Sequence, residues 1–195
     1  MKKINIFLIF LITAVLLAGS AVMIKDKIEY NRDLRNYPVS YVDLIRKNAS
    51  EFSLDPYMVL SLMRIESSFK PDAKSNLGAL GLMQIMPDTG AWIAHKLDLD
   101  DEYSEEQLFD EETNVRFGCW YIDFLKKRFN SYEKAMICAY NAGHGTLSKW
   151  LENESYTQNG ELNVIPNSDV QNYYTKYMRA YKKYKELYPE LFSEQ

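Results

Sequence analysis

Glu66-Ser67-Ser68-Phe69-Lys70-Pro71-Asp72-Ala73-Lys74-Ser75, continued by Gly78-Ala79-Leu80-Gly81-Leu82-Met83-Gln84-Ile85-Met86-Pro87-Asp88-Thr89, is the stretch on which the fold turns. Upstream, Asp55-Pro56 is a helix start, because Asp caps free N–H groups and Pro fits a first turn. The helix it opens carries Met58, Val59, Leu62, Met63, Ile65 and Phe69, and Pro71 limits its end. Residues 71 to 86 then read as a loop with Gly78 and Gly81, and Pro87 opens a helix to about Leu97. A loop is thus held between two helices directly after a glutamate.

Helical spacing also dominates further out. Val42, Ile45, Ala49 and Phe52 recur on one face. Ser104 with Gln107 predicts a capping box. Residues 113 to 129 form an amphipathic helix with Val115, Cys119, Ile122 and Leu125 on one side, and Ser131 caps a helix to Asn141. Residues 153 to 168 read as a polar loop, and a last helix runs from about Val170 to Leu187. Its stripe of Tyr173, Tyr177, Tyr181, Tyr184 and Tyr188 predicts docking on the core, with Tyr173 set apart as a candidate site residue. No long stretch alternates with period two. With only 6 Pro and 8 Gly in 195 residues, the expected fold is mainly α.

Composition narrows the function. The chain is 47% hydrophobic and 26% charged, which suits one packed domain. A formal charge of −4 is poorly suited to non-specific binding of DNA or RNA, so no nucleic-acid partner is expected. Cys119 and Cys138 lack metal-ligand spacing, and no metal or nucleotide motif appears, so no metal and no cofactor are expected. Two buried free thiols are the simplest reading of the cysteines, and a disulfide stays open as the alternative. His95 and His144 read as surface or helix-end residues.

Lys2 and Lys3 precede an uncharged run from Ile4 to Ile24, long enough as a helix to cross a hydrocarbon core. We divide the chain into residues 1–24 as a transmembrane anchor or signal peptide, 25–38 as a charged spacer ending at Pro38, and 39–190 as the working domain. A retained anchor is favoured over cleavage near Gly19-Ser20-Ala21, because the apolar run continues past that point. Either way the domain is expected outside the cytoplasm, held at the cell membrane or, after cleavage, secreted.

The chemistry centres on Glu66. On an apolar helix face, beside Leu62, Met63 and Phe69, a carboxylate is penalised when charged, so its pKa is expected to rise towards that of a general acid. The quoted stretch resembles the catalytic motif of the soluble lytic transglycosylase family, whose domain has a lysozyme-like α fold of the goose type. Ala139-Tyr140-Asn141-Ala142-Gly143, with Gly145 and Trp150, is similar to the family's next block. Leu108-Phe109-Asp110 through Asn114, Gly118 and Tyr121 is similar to its intervening helix, with Phe109 and Glu111 departing from the usual choices. Ile165-Pro166 and Asn172-Tyr173 begin and continue the last block, but Asp169-Val170-Gln171 stands where the family has Glu-Thr-Arg. The resemblance covers about residues 40 to 185.

The resemblance implies cleavage of the β-1,4 bond between N-acetylmuramic acid and N-acetylglucosamine in peptidoglycan glycan strands, with a 1,6-anhydromuramyl product. It implies Glu66 as the catalytic acid and then base. Ser75, Gln84, Met86, Tyr140 and Asp169 are implied as substrate-binding residues, and Gly81, Asn141 and Tyr173 as shaping the site. Glycines in the Gly-Leu-Met-Gln core are expected to let backbone approach the sugar. Two rival readings remain: a hydrolytic muramidase, with Asp72, Asp88 or Asp169 positioning water, and a non-catalytic wall-binding module.

Overall fold

A computed structural model describes residues 6–130 and 132–193. The expected positions of Lys2, Lys3 and Ile4, and of Ser131 as a helix cap, lie outside the described residues. The chain divides into two compact units, one through Pro38 and one from Val39.

The first unit is a single helix, α1 (Ile6–Asn36), of 31 residues. It is about 46 Å long at the rise of an α-helix. Apolar side chains such as Phe10, Leu17 and Met23 are about 70% exposed along it. The helix continues through the charged spacer residues to Asn36.

The second unit is mainly helical, as its spacing predicts. α2 (Val42–Glu51) buries Ile45 and Ala49. α3 (Pro56–Glu66) begins where Asp55 accepts a hydrogen bond from the Tyr57 N–H at 2.8 Å. α4 (Pro87–Lys96) follows the glycine-bearing loop. The short 3-10 helix η1 (Glu105–Phe109) has its capping box, in which Gln107 accepts from the Ser104 N–H at 3.0 Å. α5 (Glu111–Arg128) buries the predicted face and is capped by Asp110. α6 (Glu133–Ala142) starts after Tyr132 at its N-cap position. α8 (Ser168–Leu187) closes the domain and packs on α3 and α6.

Three expectations need correction. The helix carrying Glu66 stops at Glu66 and does not reach Phe69. Ser68 and Phe69 lie at φ 53° and 66°, which reverses the chain before Pro71 can act. A further helix, α7 (His144–Leu151), follows Gly143 at φ 84°, where the spacing had ended at Asn141. The polar loop of residues 153 to 168 contains a small antiparallel hairpin, β1 (Thr157–Gln158) with β2 (Glu161–Leu162). A two-residue strand is too short to leave a period-two pattern.

One buried side chain fixes the loop between α3 and α4. Asn114, on α5 and 1% exposed, donates to the carbonyls of Leu80 at 2.9 Å and Leu108 at 2.7 Å, and accepts from the Met83 N–H at 2.7 Å. Gly81, at φ 74°, sits against it: a Cβ there would lie 2.2 Å from the Leu108 oxygen and 2.3 Å from the Asn114 nitrogen. Gly118 similarly makes room for Met83, whose Cγ a Cβ would approach to 2.7 Å. The close approach at Gly81 is therefore to the protein's own interior.

Replacing Asn114 by Ala strands three buried backbone groups, and we expect a loss of about 3 kcal/mol of stability in urea unfolding. Gly81→Ala should also destabilise strongly, and the two losses should not add because they strike one contact. A loss below about 0.5 kcal/mol for Asn114→Ala would contradict this account of the loop.

Candidate active site

Glu66 is the last residue of α3 and is half-buried. Behind it, Leu62 and Met63 are fully buried. Its Oε1 accepts a hydrogen bond from the Tyr173 hydroxyl, on α8, at 2.5 Å. Burial pushes the Glu66 carboxyl up to about 7, and the Tyr173 hydrogen bond offsets part of that rise by favouring the charged form. Glu66 forms no ion pair among the described residues. The desolvation argument thus holds, although Phe69 is not its helical neighbour.

Tyr173 belongs to a regular set. At intervals of four residues along α8, Tyr173 donates to Glu66, Tyr177 to Glu133 at 2.9 Å, and Tyr181 to Asp55 at 2.5 Å. Asp55 and Glu66 are the two ends of α3, so α8 clamps that helix at both ends and runs antiparallel to it. Tyr177 and Tyr184 are fully buried, as expected for docking of the stripe.

Tyr140 lies close enough to Glu66 for its charged form to be disfavoured by that carboxylate, after the larger effect of burial. Its hydroxyl donates to the Met83 carbonyl at 2.8 Å, tying α6 to the Gly-Leu-Met-Gln loop. Gln84, at φ 50°, turns its amide nitrogen inward to the carbonyls of Ala73 at 3.1 Å and Gly81 at 3.0 Å. Ser75 accepts from the Ala79 N–H at 2.9 Å, which leaves its hydroxyl proton available. Leu80 bridges to both Lys74 and Ile85 in the same loop. Met86 is 42% exposed at the start of α4.

The structure therefore brings Glu66, Tyr140 and Tyr173 together, with the loop that carries Ser75, Gly81 and Gln84 bound to Tyr140. Asp169 and Asn141 are exposed and make no contact with Glu66 among the described hydrogen bonds. Asp72 and Asp88 are exposed as well. In the sequence Asn114 stands out only as part of a motif. Its role in fixing the loop would have required the three-dimensional partners to see. Cys119 and Cys138 are buried free thiols, and burial raises both.

The electrostatics predict a pH dependence. Folded Glu66 keeps its proton to about pH 7, whereas the unfolded chain releases it near 4.5. Stability should fall as pH rises between those values. Glu66→Gln removes the effect, so the variant should match the parent at pH 4 and exceed it by on the order of 2 kcal/mol at pH 8. Tyr173→Phe should raise the Glu66 titration midpoint further, read by carboxyl carbon NMR. A parent and Gln variant of equal stability at every pH would show that Glu66 is not desolvated.

The family model described as Transglycosylase SLT domain matches residues 43–163. Soluble lytic murein transglycosylase of Escherichia coli is 33% identical over 150 residues, which is 76% of this chain and 23% of that protein. Membrane-bound lytic murein transglycosylase C of Actinobacillus pleuropneumoniae is 29% identical over 165 residues, covering 74% of this chain and 45% of that protein. The crystal structure of the 70 kDa soluble lytic transglycosylase of Escherichia coli superposes with a TM-score of 0.71 at 28% identity, over 83% of this chain and 27% of that one. A complex of that enzyme with bulgecin A gives the same TM-score over 79% of this chain and 25% of that one. The chain thus spans less than half the length of these relatives. With the mainly helical, lysozyme-like fold and the motif blocks in place around Glu66, the chain belongs to the transglycosylase SLT domain family.

Proposed function

We propose that this protein cleaves the glycan strands of peptidoglycan without water, leaving 1,6-anhydromuramyl ends. The observation that carries the reading is a single half-buried carboxyl, raised to about 7, with no acidic residue among the groups that shift it. A retaining glycosidase places a second carboxylate about 5 Å from the first, and such a neighbour would register as a like charge. Among the described residues the side chain that Glu66 meets by a hydrogen bond is the Tyr173 phenol and not a second carboxyl, which supports a nucleophile supplied by the substrate.

In this mechanism Glu66 gives its proton to the glycosidic oxygen as the bond from the muramyl C1 breaks. The acetamido oxygen of the muramyl residue stabilises the developing positive charge. Glu66, now charged and steadied by the Tyr173 hydroxyl, takes the proton of the muramyl 6-hydroxyl while that oxygen bonds to C1. The acid is thereby restored and no water is consumed. Ser75 offers a hydroxyl and Met86 an exposed apolar surface to the strand. Gln84 and Tyr140 act chiefly by holding the loop, since both are engaged within it. Asp169, exposed in the first turn of α8, is assigned an outer contact with the strand.

We also propose that α1 anchors the domain to the cell membrane, with the domain on the extracytoplasmic side. The length and apolar composition of α1 over Ile9–Asn36 support this. So does the relative described as membrane-bound. Cleavage of the segment with release of the domain is the alternative.

Mass spectrometry of glycan fragments from purified peptidoglycan tests the reaction. The full chain should yield anhydromuramyl ends, one water lighter than reducing ends, and Glu66→Gln should yield none. Reducing ends would make this a hydrolase. Binding of the wall without products would make it a binding module. Because the acid must be protonated in the free enzyme, kcat/KM should fall about tenfold per pH unit above roughly 7. A rate that stays flat to pH 9 would count against Glu66 as the acid.

A further inference from the structure

We propose that the outward face of α8 docks on anionic phospholipid headgroups, so that the domain makes its own electrostatic contact with the membrane. This rests on the reading of α1 as an anchor and adds a second contact to it. From Lys176 to Lys185 the chain carries Lys176, Arg179, Lys182, Lys183 and Lys185 and no acidic residue. In a chain whose acids outnumber its bases 27 to 23, so much positive charge in one place is out of keeping.

Helical periodicity separates these residues from the tyrosines. Tyr173, Tyr177, Tyr181 and Tyr184 follow at intervals of three and four and turn into the domain, where Tyr177 and Tyr184 are fully buried. Lys176, Arg179, Lys182 and Lys183 recur at the same intervals, half a turn round the helix. Lys176, Arg179 and Lys182 are exposed, as are Gln171, Asn172 and Thr175 beside them. Asp169 in the first turn and Glu186 in the last bound this face, and Lys183 pairs with Glu186 at 3.0 Å. Lys185 lies off it, over the rings of Tyr57 and Tyr181.

Three of these cations are left unneutralised. Among the described residues, Lys176, Arg179 and Lys182 make no ion pair and no hydrogen bond. On α2 and α5, in contrast, Arg46, Lys47, Arg116 and Lys127 each lie beside a carboxylate. Like charges at helical spacing repel, and an anionic partner relieves that repulsion. Phosphate groups match both the charge and the N–H donors of Lys and Arg. The acidic side of the domain lies elsewhere. Residues 98–112 hold nine acids and no Lys or Arg, and η1 within them packs on α4 and α5, whereas α8 packs on α3 and α6. A charge distribution so divided turns its cationic part towards a negative surface.

The tether selects a membrane as that surface. Only residues 37–41 separate α1 from α2. A link so short keeps the domain at a high effective concentration where α1 is fixed, so a weak contact suffices. Each exposed Lys or Arg at an anionic bilayer favours the docked state about fivefold. Docking in this way also leaves the acid free. Tyr173, which bonds Glu66, is on the opposite side of α8 from the cations, so lipid on one face does not occupy the other.

The test reconstitutes the full chain into vesicles of equal parts phosphatidylcholine and phosphatidylglycerol, or of phosphatidylcholine alone, each doped with a lipid spin-labelled at its headgroup. Thr175→Cys carries a nitrobenzoxadiazole fluorophore on the cationic face, and Asp101→Cys carries it in the acidic stretch. Cys119 and Cys138 are buried, so the introduced thiol is the one that labels. The label at 175 should be quenched in the anionic vesicles, not in the neutral ones, and salt on the order of 1 M should reverse the quenching. Lys176→Gln, Arg179→Gln and Lys182→Gln together leave the tyrosine face intact and should lower the ratio of docked to undocked domain on the order of a hundredfold. A silent label in anionic vesicles, equal quenching in neutral ones or at 101, or a triple variant that docks like its parent would overturn the proposal. So would energy transfer between differently labelled copies that the triple variant abolishes, which would assign the cations to the acidic stretch of a second chain. Alkaline carbonate tests the anchor separately. A chain that resists extraction with a silent label keeps the anchor and loses the docking face, and one that is extracted but quenched in anionic vesicles does the reverse.

Discussion

Desolvating one carboxyl without neutralising it is the constraint around which this domain is arranged. Glu66 ends α3 with fully buried Leu62 and Met63 behind it, and its one hydrogen-bond donor among the described residues is a phenol. An arginine or lysine in that place would drive the carboxyl to permanent charge. A purely apolar wall would hold it protonated beyond use as a base. The tyrosine hydroxyl is intermediate: it supports the carboxylate when it forms without abolishing the affinity for a proton. A group poised in this way can give and retake a proton near neutral pH.

Holding that phenol in place is the work of α8. Its tyrosines recur every four residues, close enough to the 3.6-residue turn to stay on one face. Tyr173, Tyr177 and Tyr181 each reach a carboxylate, two of them at the ends of α3 and one at the start of α6. The acid's position is therefore tied to the register of two antiparallel helices. The loop after Glu66 is fixed separately, by Asn114 from α5 and by Tyr140 from α6. Two independent anchors leave the loop little freedom to drift relative to the acid. The strained left-handed turn at Ser68 and Phe69 lies between those anchors.

Much of this was legible in the order of residues. Asp55-Pro56, Pro87 and the face of Val115, Cys119, Ile122 and Leu125 placed helices where they are found, because caps, prolines and periodicity act over one or two turns. Glu66 was recognisable from its apolar neighbours and its motif. The exit of α3 was misjudged, because nothing about Ser68 or Phe69 advertises a left-handed conformation. The helix after Gly143 was missed because it is only eight residues long, and the hairpin because its strands have two residues each. Gly81 was singled out for a sound reason, a need for close approach, but the approaching atoms are those of Leu108 and Asn114.

The sequence by itself determined the helical class, the helix starts set by Asp and Pro, a glutamate on an apolar face as the candidate acid, and a segment apolar enough to cross a membrane. Those properties depend on residues near one another along the chain. Only the tertiary structure decided that Tyr173 is the partner of Glu66, 107 positions away. It also decided that Asn114 joins Leu80, Met83 and Leu108. Hydrogen bonds of this kind act over a few ångströms in space. Which residues fall within that distance is set by how the helices pack, and local pattern carries no record of it.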